Sequence, residues 1–347
     1  MSLAGWEAEL NQTISAGIGE ASIPGVIVGV SKPDQAPYVR AFGVRDTGTG
    51  EAMTPDLSMR IGSVTKSFTT TAVLQLVDQG RIGLDDPIGR YVPDAPNGDQ
   101  VTIRELAAMR SGLYDYSVHT YPPAPGDEYR QYRPEELVQM AASHPPRFPP
   151  NDRFDYNNTN TVLLGLVVEN VSDQPLRDYI RDHITQPLDM QNTLLPDGTE
   201  FPSPRAQGYT RRPDGQIVDA AGWNTSWGWA AGAMVSTLDD LRIWAPSVAM
   251  GALLSPGTHA ERCKFLLAPS EGEGALYGLG LEYQNGWIGH NGNLDGYQSY
   301  AYYLPPEDTT LIMLVNSNVE VLGVWNFFTR IANIVSPAHT WPLPPSE

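Results

Sequence analysis

The stretch Gly62-Ser63-Val64-Thr65-Lys66-Ser67-Phe68 places one of only three lysines in the chain one helical turn after a serine. Residues three positions apart share a helix face, so we expect the Ser63 hydroxyl and the Lys66 amine to meet. A lysine that is cut off from water has a lowered pKa and accepts a proton, which arginine does not do near neutral pH. The pattern predicts a serine nucleophile with its own base. The alternative is a helix-capping Ser63 and a solvated Lys66.

Composition limits the partners and cofactors of the chain. It has 347 residues, 41% of them hydrophobic, and a net charge of -18. Nucleic acid and anionic membranes require basic patches, so neither is an expected partner. The first ten residues carry no basic segment followed by an apolar one, which predicts a cytoplasmic protein. Cys263 is the only cysteine and no Cys/His cluster has zinc spacing, so we expect no metal and no cofactor. Oligomeric state stays open.

Strand patterns occur near both ends of the chain, and helix patterns lie between them. The predicted strands span residues 25–30, 38–42, 277–283, 287–289, 297–304 and 310–316. The predicted helices span residues 5–18, 64–80, 101–109, 134–142, 161–171, 176–183, 237–250 and 319–335, and residues 337–347 are expected to be extended. This order predicts an α+β fold: an antiparallel sheet built from both termini, flanked by terminal helices, with an inserted, mostly helical region. The predicted boundaries are 1–60 plus 272–347 for the sheet region and 61–271 for the helical region, with the site in the cleft between them.

A second candidate segment is Phe154-Asp155-Tyr156-Asn157-Asn158. A tyrosine hydroxyl beside a lysine amine forms an acid–base pair that delivers a proton to a leaving group. The amide of Asn158 is suited to hold a substrate amide. Alternatively, Tyr156 is a core aromatic residue and the asparagines are turn formers.

The third candidate segment is Gly289-His290-Asn291-Gly292-Asn293, after the predicted strand around Trp287. Glycine there allows a substrate backbone to lie close to the strand edge, so Asn291 and Gly292 are expected to bind substrate. The N–H groups of Ser63 and Asn293 are the candidate oxyanion donors. His290 either assists the chemistry or is structural.

In this order and spacing the three segments resemble the serine β-lactamase and penicillin-binding protein superfamily. That superfamily includes class C β-lactamases, D-alanyl-D-alanine carboxypeptidases, and esterase, D-amino acid amidase and transacylase relatives. Its pattern is Ser-x-x-Lys, then Tyr-x-Asn, then Lys- or His-x-Gly on a strand. The matching residues are Ser63 to Lys66, Tyr156 to Asn158, and His290 to Gly292. Residues 62–92, 111–116 and 231–237 extend the resemblance over nearly the whole chain. It implies a β-lactamase/transpeptidase-like fold.

The chain departs from the carboxypeptidases of that superfamily at one strand. They often carry an arginine in Leu-Gly-Leu-Arg that holds the substrate carboxylate, whereas this chain has Leu279-Gly280-Leu281-Glu282. No lysine or arginine occurs from residue 265 to residue 329, although an arginine of the helical region could still reach the cleft. Glu282 either binds a substrate ammonium or is an exposed strand carboxylate. The departure favours an uncharged ester or amide substrate.

The leading hypothesis is an intracellular serine hydrolase or acyltransferase acting on a small ester or amide: an esterase, an amidase or an amide-forming transacylase. Ser63 forms the acyl-enzyme, Lys66 and Tyr156 move the protons, and water or an amine acceptor releases the product, with His290 as a further candidate. Four aromatic residues are either cleft walls or core residues: Tyr114, Tyr116, Trp227 and Trp229. The alternatives are a D-alanyl-D-alanine carboxypeptidase or class C-type β-lactamase, and a non-catalytic binding protein on the same scaffold.

Overall fold

The computed structural model describes residues 5–342, apart from the side chain of Glu271. Its strands are β1 (Gly25–Ser31), β2 (Tyr38–Gly43), β3 (Met59–Arg60), β4 (Tyr209–Arg211), β5 (Ile217–Asp219), β6 (Val235–Ser236), β7 (Leu266–Leu267), β8 (Leu276–Tyr277), β9 (Glu282–Gln284), β10 (Trp287–Leu294), β11 (Tyr297–Leu304) and β12 (Thr309–Val315). Its helices are α1 (Gly5–Glu20), α2 (Thr65–Asp78), α3 (Ile103–Ala107), α4 (Pro134–Ala142), α5 (Asn158–Ser172), α6 (Leu176–Ile180), α7 (Trp229–Gly232), α8 (Leu238–Ala249), α9 (Pro256–Arg262) and α10 (Val321–Val335).

An eight-stranded sheet in the order β2-β1-β12-β11-β10-β9-β8-β7 joins the two ends of the chain. Each neighbouring pair is antiparallel, and β1 aligns with β12 from Val26 opposite Val315 to Ser31 opposite Thr310. Strands of widely separated sequence therefore lie side by side in the middle of the sheet. The α+β architecture and the sheet built from both termini are confirmed.

Alternate residues of the central strands pack on opposite faces of the sheet, as the two-residue period of a strand requires. Val28 and Met313 belong to a core cluster with the terminal helices α1 and α10. Ile27 and Ile312 point the other way, into a larger cluster that includes α2, α5 and α8. Both faces are covered, which explains why β11 and β12 are buried along their whole length. The division of the chain at residues 60 and 272 stays a prediction.

The predicted strand 277–283 is wrong, because a turn divides it into β8 and β9. Gly280 has a φ of +70°, which favours glycine. The backbone N–H groups of Leu279 and Gly280 donate to the carbonyls of Arg262 and Ala107, each at 3.0 Å, rather than to a neighbouring strand. The helical region therefore takes up the hydrogen bonds that would have continued the ladder.

The third candidate segment lies inside β10 rather than after it. β10 continues to Leu294 and pairs with β11 over that length, from Ile288 opposite Tyr303 to Leu294 opposite Tyr297. Its pairing with β9 stops at Gly289. Residues beyond that point thus have one strand edge that faces the helical region. The predicted extended tail lies outside the described residues from 343 onward.

Candidate active site

Ser63 and Lys66 meet at the start of α2. Residues 62–64 form a 3-10 turn that continues into the helix, and Gly62 begins it with a φ of +49°. Lys66 Nζ lies 2.9 Å from Ser63 Oγ, as the three-residue spacing predicts. Lys66 is 0% exposed, because α2 is enclosed by neighbouring helices and the sheet. The amine is therefore shielded from water while the serine borders an open cavity.

The Lys66 amine has oxygen neighbours besides Ser63 Oγ. Asn158 Oδ1 lies at 2.7 Å and the Ala231 carbonyl oxygen at 2.8 Å. An amide or carbonyl oxygen only accepts hydrogen bonds, whereas a hydroxyl also donates. If the Lys66 amine gives up its extra proton, it can donate to Asn158 and Ala231 and accept from Ser63. In that state its lone pair faces the Ser63 hydroxyl.

Tyr156 stands beside this pair. Its ring centroid lies 4.8 Å from Lys66 Nζ, and the residue immediately precedes the α5 cap. The ring meets Tyr277 edge-on, with centroids 6.3 Å apart, and lies 6.1 Å from the His290 ring. The structure therefore brings the three sequence segments to one place.

His290 is buried and neutral. Its Nδ1 lies 2.6 Å from the carbonyl oxygen of Asn291, so Nδ1 carries the proton. Its Nε2 then accepts a hydrogen bond of 3.0 Å from the Tyr277 hydroxyl. Burial, with a smaller contribution from the charge of Lys66, lowers the pKa of His290 to about 3. This residue presents no positive charge to the site at neutral pH.

Glu282 is buried, so its interpretation as an exposed strand carboxylate is wrong. Oε2 accepts hydrogen bonds from the Tyr302 hydroxyl and from Asn291 Nδ2, and Oε1 lies 3.3 Å from His290 Nδ1. The sheet register explains this position, because Glu282 and Tyr302 both lie opposite Gly289. Glu282 is not among the residues that line the cavity beside Ser63.

A close backbone contact joins the start of α2 to β10. A Cβ atom added to Gly62 would lie 2.8 Å from the Asn293 nitrogen, and one added to Gly292 would lie 2.1 Å from the Ile61 carbonyl oxygen. Both positions therefore require glycine. Gly292 itself is not among the residues that line the cavity beside Ser63. The contact brings the Asn293 backbone nitrogen next to Ser63.

A cavity of about 210 Å³ opens above Ser63. Its described lining consists of Ser63, Tyr121, Tyr156, Asn158, Trp227, Gly228, Ala231, Gly232, Asn291, Asn293 and Leu294. None of these side chains carries a formal charge at neutral pH. The cavity therefore suits an uncharged polar group next to the serine.

The family model described as Beta-lactamase matches residues 10–330. The chain belongs to the Beta-lactamase family. It is accordingly a hydrolytic enzyme, and the β-lactamase-like fold inferred from the three motifs is confirmed.

Three proteins similar to this Beta-lactamase family member have names that state an activity. The D-aminopeptidase of Brucella anthropi is 28% identical over 84% of this chain, which spans only 56% of that protein. The structure of a D-stereospecific amidohydrolase from a Streptomyces species is 28% identical, covers 90% of this chain and 94% of its own, and has a TM-score of 0.81. The D-amino acid amidase from Ochrobactrum anthropi SV3, complexed with L-phenylalanine amide, is 26% identical, with coverages of 96% and 100% and a TM-score of 0.83.

Several predicted cleft residues of this Beta-lactamase family member lie elsewhere. Tyr114 stacks on His144 with ring centroids 3.9 Å apart, and Tyr116 is buried with its hydroxyl on the Trp227 carbonyl. Trp229 packs against Gly165 of α5. These three residues pack within the fold and do not line the cavity, whereas Trp227 does line it.

Two tyrosines in the site were missed from the sequence. Tyr121 lines the cavity and stacks on Trp227 at 4.8 Å, and Tyr277 holds His290. Neither residue lies in a recognisable motif, so only the long-range strand and loop contacts reveal them.

Two kinds of feature do not occur among residues 5–342. No group of three or more His, Cys, Asp or Glu side chains in that range is placed to hold a metal ion. None of the described helices is long and apolar enough to cross a membrane.

Proposed function

We propose that the protein is a serine amidohydrolase that cleaves small amides, and activated esters, through an acyl-enzyme on Ser63. One observation carries this proposal: Lys66 Nζ lies 2.9 Å from Ser63 Oγ, whose hydroxyl has a hydrogen to donate, whereas its neighbours Asn158 Oδ1 and the Ala231 carbonyl oxygen can only accept. Asn158 and Ala231 hold the amine so that its lone pair meets that hydrogen. The arrangement is a nucleophile with a positioned general base.

In the acylation step Ser63 Oγ attacks the substrate carbonyl while its proton passes to Lys66 Nζ. The backbone N–H groups of Ser63 and Asn293 donate to the oxyanion, which is why the Gly62 contact with Asn293 matters. Tyr156, whose ring centroid lies 4.8 Å from Lys66 Nζ, relays the proton to the leaving nitrogen. The carbon–nitrogen bond breaks and the amine departs. Water then attacks the ester, and its proton returns through the same groups to Ser63.

The lining of the cavity favours amides over peptides that end in a free carboxylate. None of the described lining residues is a lysine or an arginine, and His290 is neutral. A carboxylate left without a cation in a partly dry site is costly to bind. Two structural neighbours, a D-amino acid amidase and a D-stereospecific amidohydrolase, support the same substrate class.

Aminolysis is the second candidate outcome for the same acyl-enzyme. The cavity walls include Tyr121, Trp227 and Leu294, which reduce the access of water to the ester. An amine that enters the cavity would then compete with water. Product analysis in the presence of added amines separates an amidase from a transacylase.

Intact-mass spectrometry tests the proposal directly. The protein is incubated with p-nitrophenyl esters, D-amino acid amides and a penicillin, and the mass of any covalent adduct is measured. We expect an acyl adduct that is absent from Ser63→Ala and retained in Ser15→Ala, which changes an exposed serine of α1. Turnover by Ser63→Ala at the wild-type rate would contradict the assignment of Ser63 as the nucleophile. An adduct from peptides with a free carboxylate, but not from amides, would instead support a carboxypeptidase.

A further inference from the structure

The side-chain amide of Asn158 is held at both ends. Its Oδ1 lies 2.7 Å from Lys66 Nζ, and its Nδ2 donates to Ser117 Oγ at 3.0 Å. Ser117 is not among the residues that line the cavity beside Ser63, whereas Asn158 is. The only contact that the structure gives Ser117 with the candidate site among residues 5–342 is therefore this hydrogen bond, two bonds away from the Lys66 amine.

The segment that carries Ser117 lies along the start of α5. Asn157 Nδ2 donates to the Leu113 carbonyl oxygen at 2.6 Å. Thr159 Oγ1 donates to the Tyr114 carbonyl oxygen at 2.8 Å and accepts from the Tyr116 backbone N–H at 3.2 Å. These contacts on either side of Asn158 set the register of the two segments. In that register the serine hydroxyl meets the asparagine amide.

The backbone of Ser117 is itself fixed by hydrogen bonds. Its N–H donates to the Asp115 carboxylate at 2.9 Å, which caps the 3-10 turn of residues 116–119. Its carbonyl oxygen accepts from the N–H groups of Thr120, at 3.0 Å, and Tyr121, at 2.8 Å. The position of the serine Cβ is thereby set, and the hydroxyl oxygen turns about a single bond.

The orientation of the Asn158 amide matters for the proposed general base. An amide has an acceptor end and a donor end. In the observed orientation the oxygen faces Lys66 Nζ and the nitrogen faces Ser117. An amide nitrogen in place of that oxygen would donate to the lone pair of a neutral Lys66 amine, which is the lone pair that takes the Ser63 proton. An acceptor at Ser117 keeps the amide nitrogen away from the base.

We propose that Ser117 is a positioning residue for the general base. Its hydroxyl holds the Asn158 amide and thereby keeps Asn158 Oδ1 on Lys66 Nζ while the Ser63 proton is transferred. This inference rests on the proposed amidase function, because it assigns Ser117 a part in the acylation of Ser63. It predicts an effect on the rate of acylation that passes entirely through Asn158.

The first test measures the acylation rate constant with p-nitrophenyl acetate in single-turnover experiments. In Ser117→Ala we expect it to fall about tenfold, the scale of one lost hydrogen bond. Ser117→Thr keeps a hydroxyl and should stay close to wild type. Ser143→Ala removes an exposed serine hydroxyl that follows α4, and should also match wild type. A wild-type rate in Ser117→Ala, or an equal loss in Ser117→Thr, would overturn the assignment.

A double-mutant cycle then separates positioning from a general effect on structure. In an Asn158→Ala background, Ser117→Ala should change the acylation rate constant by less than about twofold, because its partner is already gone. A further tenfold loss would show that Ser117 acts independently of Asn158 and would refute the inference. If Ser117→Ala fails to fold in urea-unfolding controls, Ser117→Cys, a weaker acceptor, replaces it, with a smaller loss expected in the same pattern.

Intact-mass spectrometry distinguishes failure of this inference from failure of the proposed function. If wild type and Ser117→Ala both form an adduct on Ser63 at the same rate, the nucleophile stands and only the role of Ser117 is lost. If wild type forms no adduct with any ester or amide, the proposed function fails as well.

Discussion

The Tyr277 hydroxyl donates a 3.0 Å hydrogen bond to His290 Nε2, and the two rings are perpendicular with centroids 5.8 Å apart. Because Nδ1 is held by the Asn291 carbonyl, both ring nitrogens of His290 have partners. The histidine is therefore fixed as one neutral tautomer behind Tyr156. It brings no positive charge to the site at neutral pH.

Tyr277→Phe removes the hydroxyl that donates to His290, so the buried Nε2 atom loses this hydrogen bond. We expect kcat to fall about tenfold and the free energy of unfolding to fall by about 1–3 kcal/mol, the range for an unsatisfied buried polar group. Steady-state kinetics and urea unfolding measure the two effects. Tyr283→Phe, on the neighbouring strand β9, should change neither. Wild-type values of both quantities in Tyr277→Phe would mean that the hydrogen bond is unimportant.

Lys66→Arg keeps a positive charge but removes the amine that can accept a proton. We expect no acylation of Ser63 and a loss of kcat of at least about 10²-fold, the scale of general base catalysis. Burst kinetics with a p-nitrophenyl ester provide the measurement. Lys264→Arg, at a lysine 63% exposed in its side chain, is the matched control and should be fully active. An active Lys66→Arg enzyme would contradict the assigned base.

Comparing Gly62→Ala with Gly80→Ala should distinguish a loss of kcat from a loss of stability. The added methyl group would meet the Asn293 nitrogen at 2.8 Å and displace the proposed oxyanion donor. Loss of one such donor lowers kcat by about 10²–10³-fold. Gly80→Ala has a similarly positive φ, +67°, but no atom within 4 Å of its new Cβ. That control should lose some stability and keep its kcat; equal kcat losses in the two variants would show that backbone strain, not the contact, is responsible.

Asp295 makes stability depend on pH. Burial raises its pKa from the ordinary value of 3.8 to about 7, so between these values the folded protein holds a proton that the unfolded chain has released. The contribution of Asp295 to stability therefore falls as pH rises through this window. Arg60 and Tyr121 are the titratable groups that interact with the Asp295 carboxylate. Glu128, Arg211 and Arg212 line the same small surface cavity as Asp295.

Comparing Asp295→Asn with wild type isolates this contribution. The free energy of unfolding of the variant minus that of wild type should become more positive from pH 5 to pH 8, because the amide does not titrate. Urea unfolding at the two pH values gives the difference. A difference that is the same at both values would show that Asp295 has an ordinary pKa in the folded protein.

Local patterns were sufficient to predict the core of the site. The spacing of Ser63 and Lys66 needs only one helical turn, and a helix starts there in the structure. The terminal strands were also predictable, since continuous runs of apolar and β-branched residues and the Asn285-Gly286 turn are local signals. Such features depend on neighbours in the sequence.

Glu282 shows why the remainder was not predictable. Its burial follows from pairing Gly289 with both Glu282 and Tyr302, a register that no local pattern specifies. Likewise, the break in the strand before Glu282 depends on carbonyl oxygens of Arg262 and Ala107, far away in sequence. Tyr121 enters the cavity through a loop that carries no periodic signal.

The joining of β1 to β12 and the late position of β10 have a consequence during synthesis. A nascent chain that has been synthesised just past Tyr156 already contains Ser63, Lys66 and Tyr156, but Asn293 has not yet been added. Until the final strands leave the ribosome and close the sheet, the serine faces no completed pocket. The cavity beside Ser63 is therefore complete only after the C-terminal strands have been made and β12 has paired with β1.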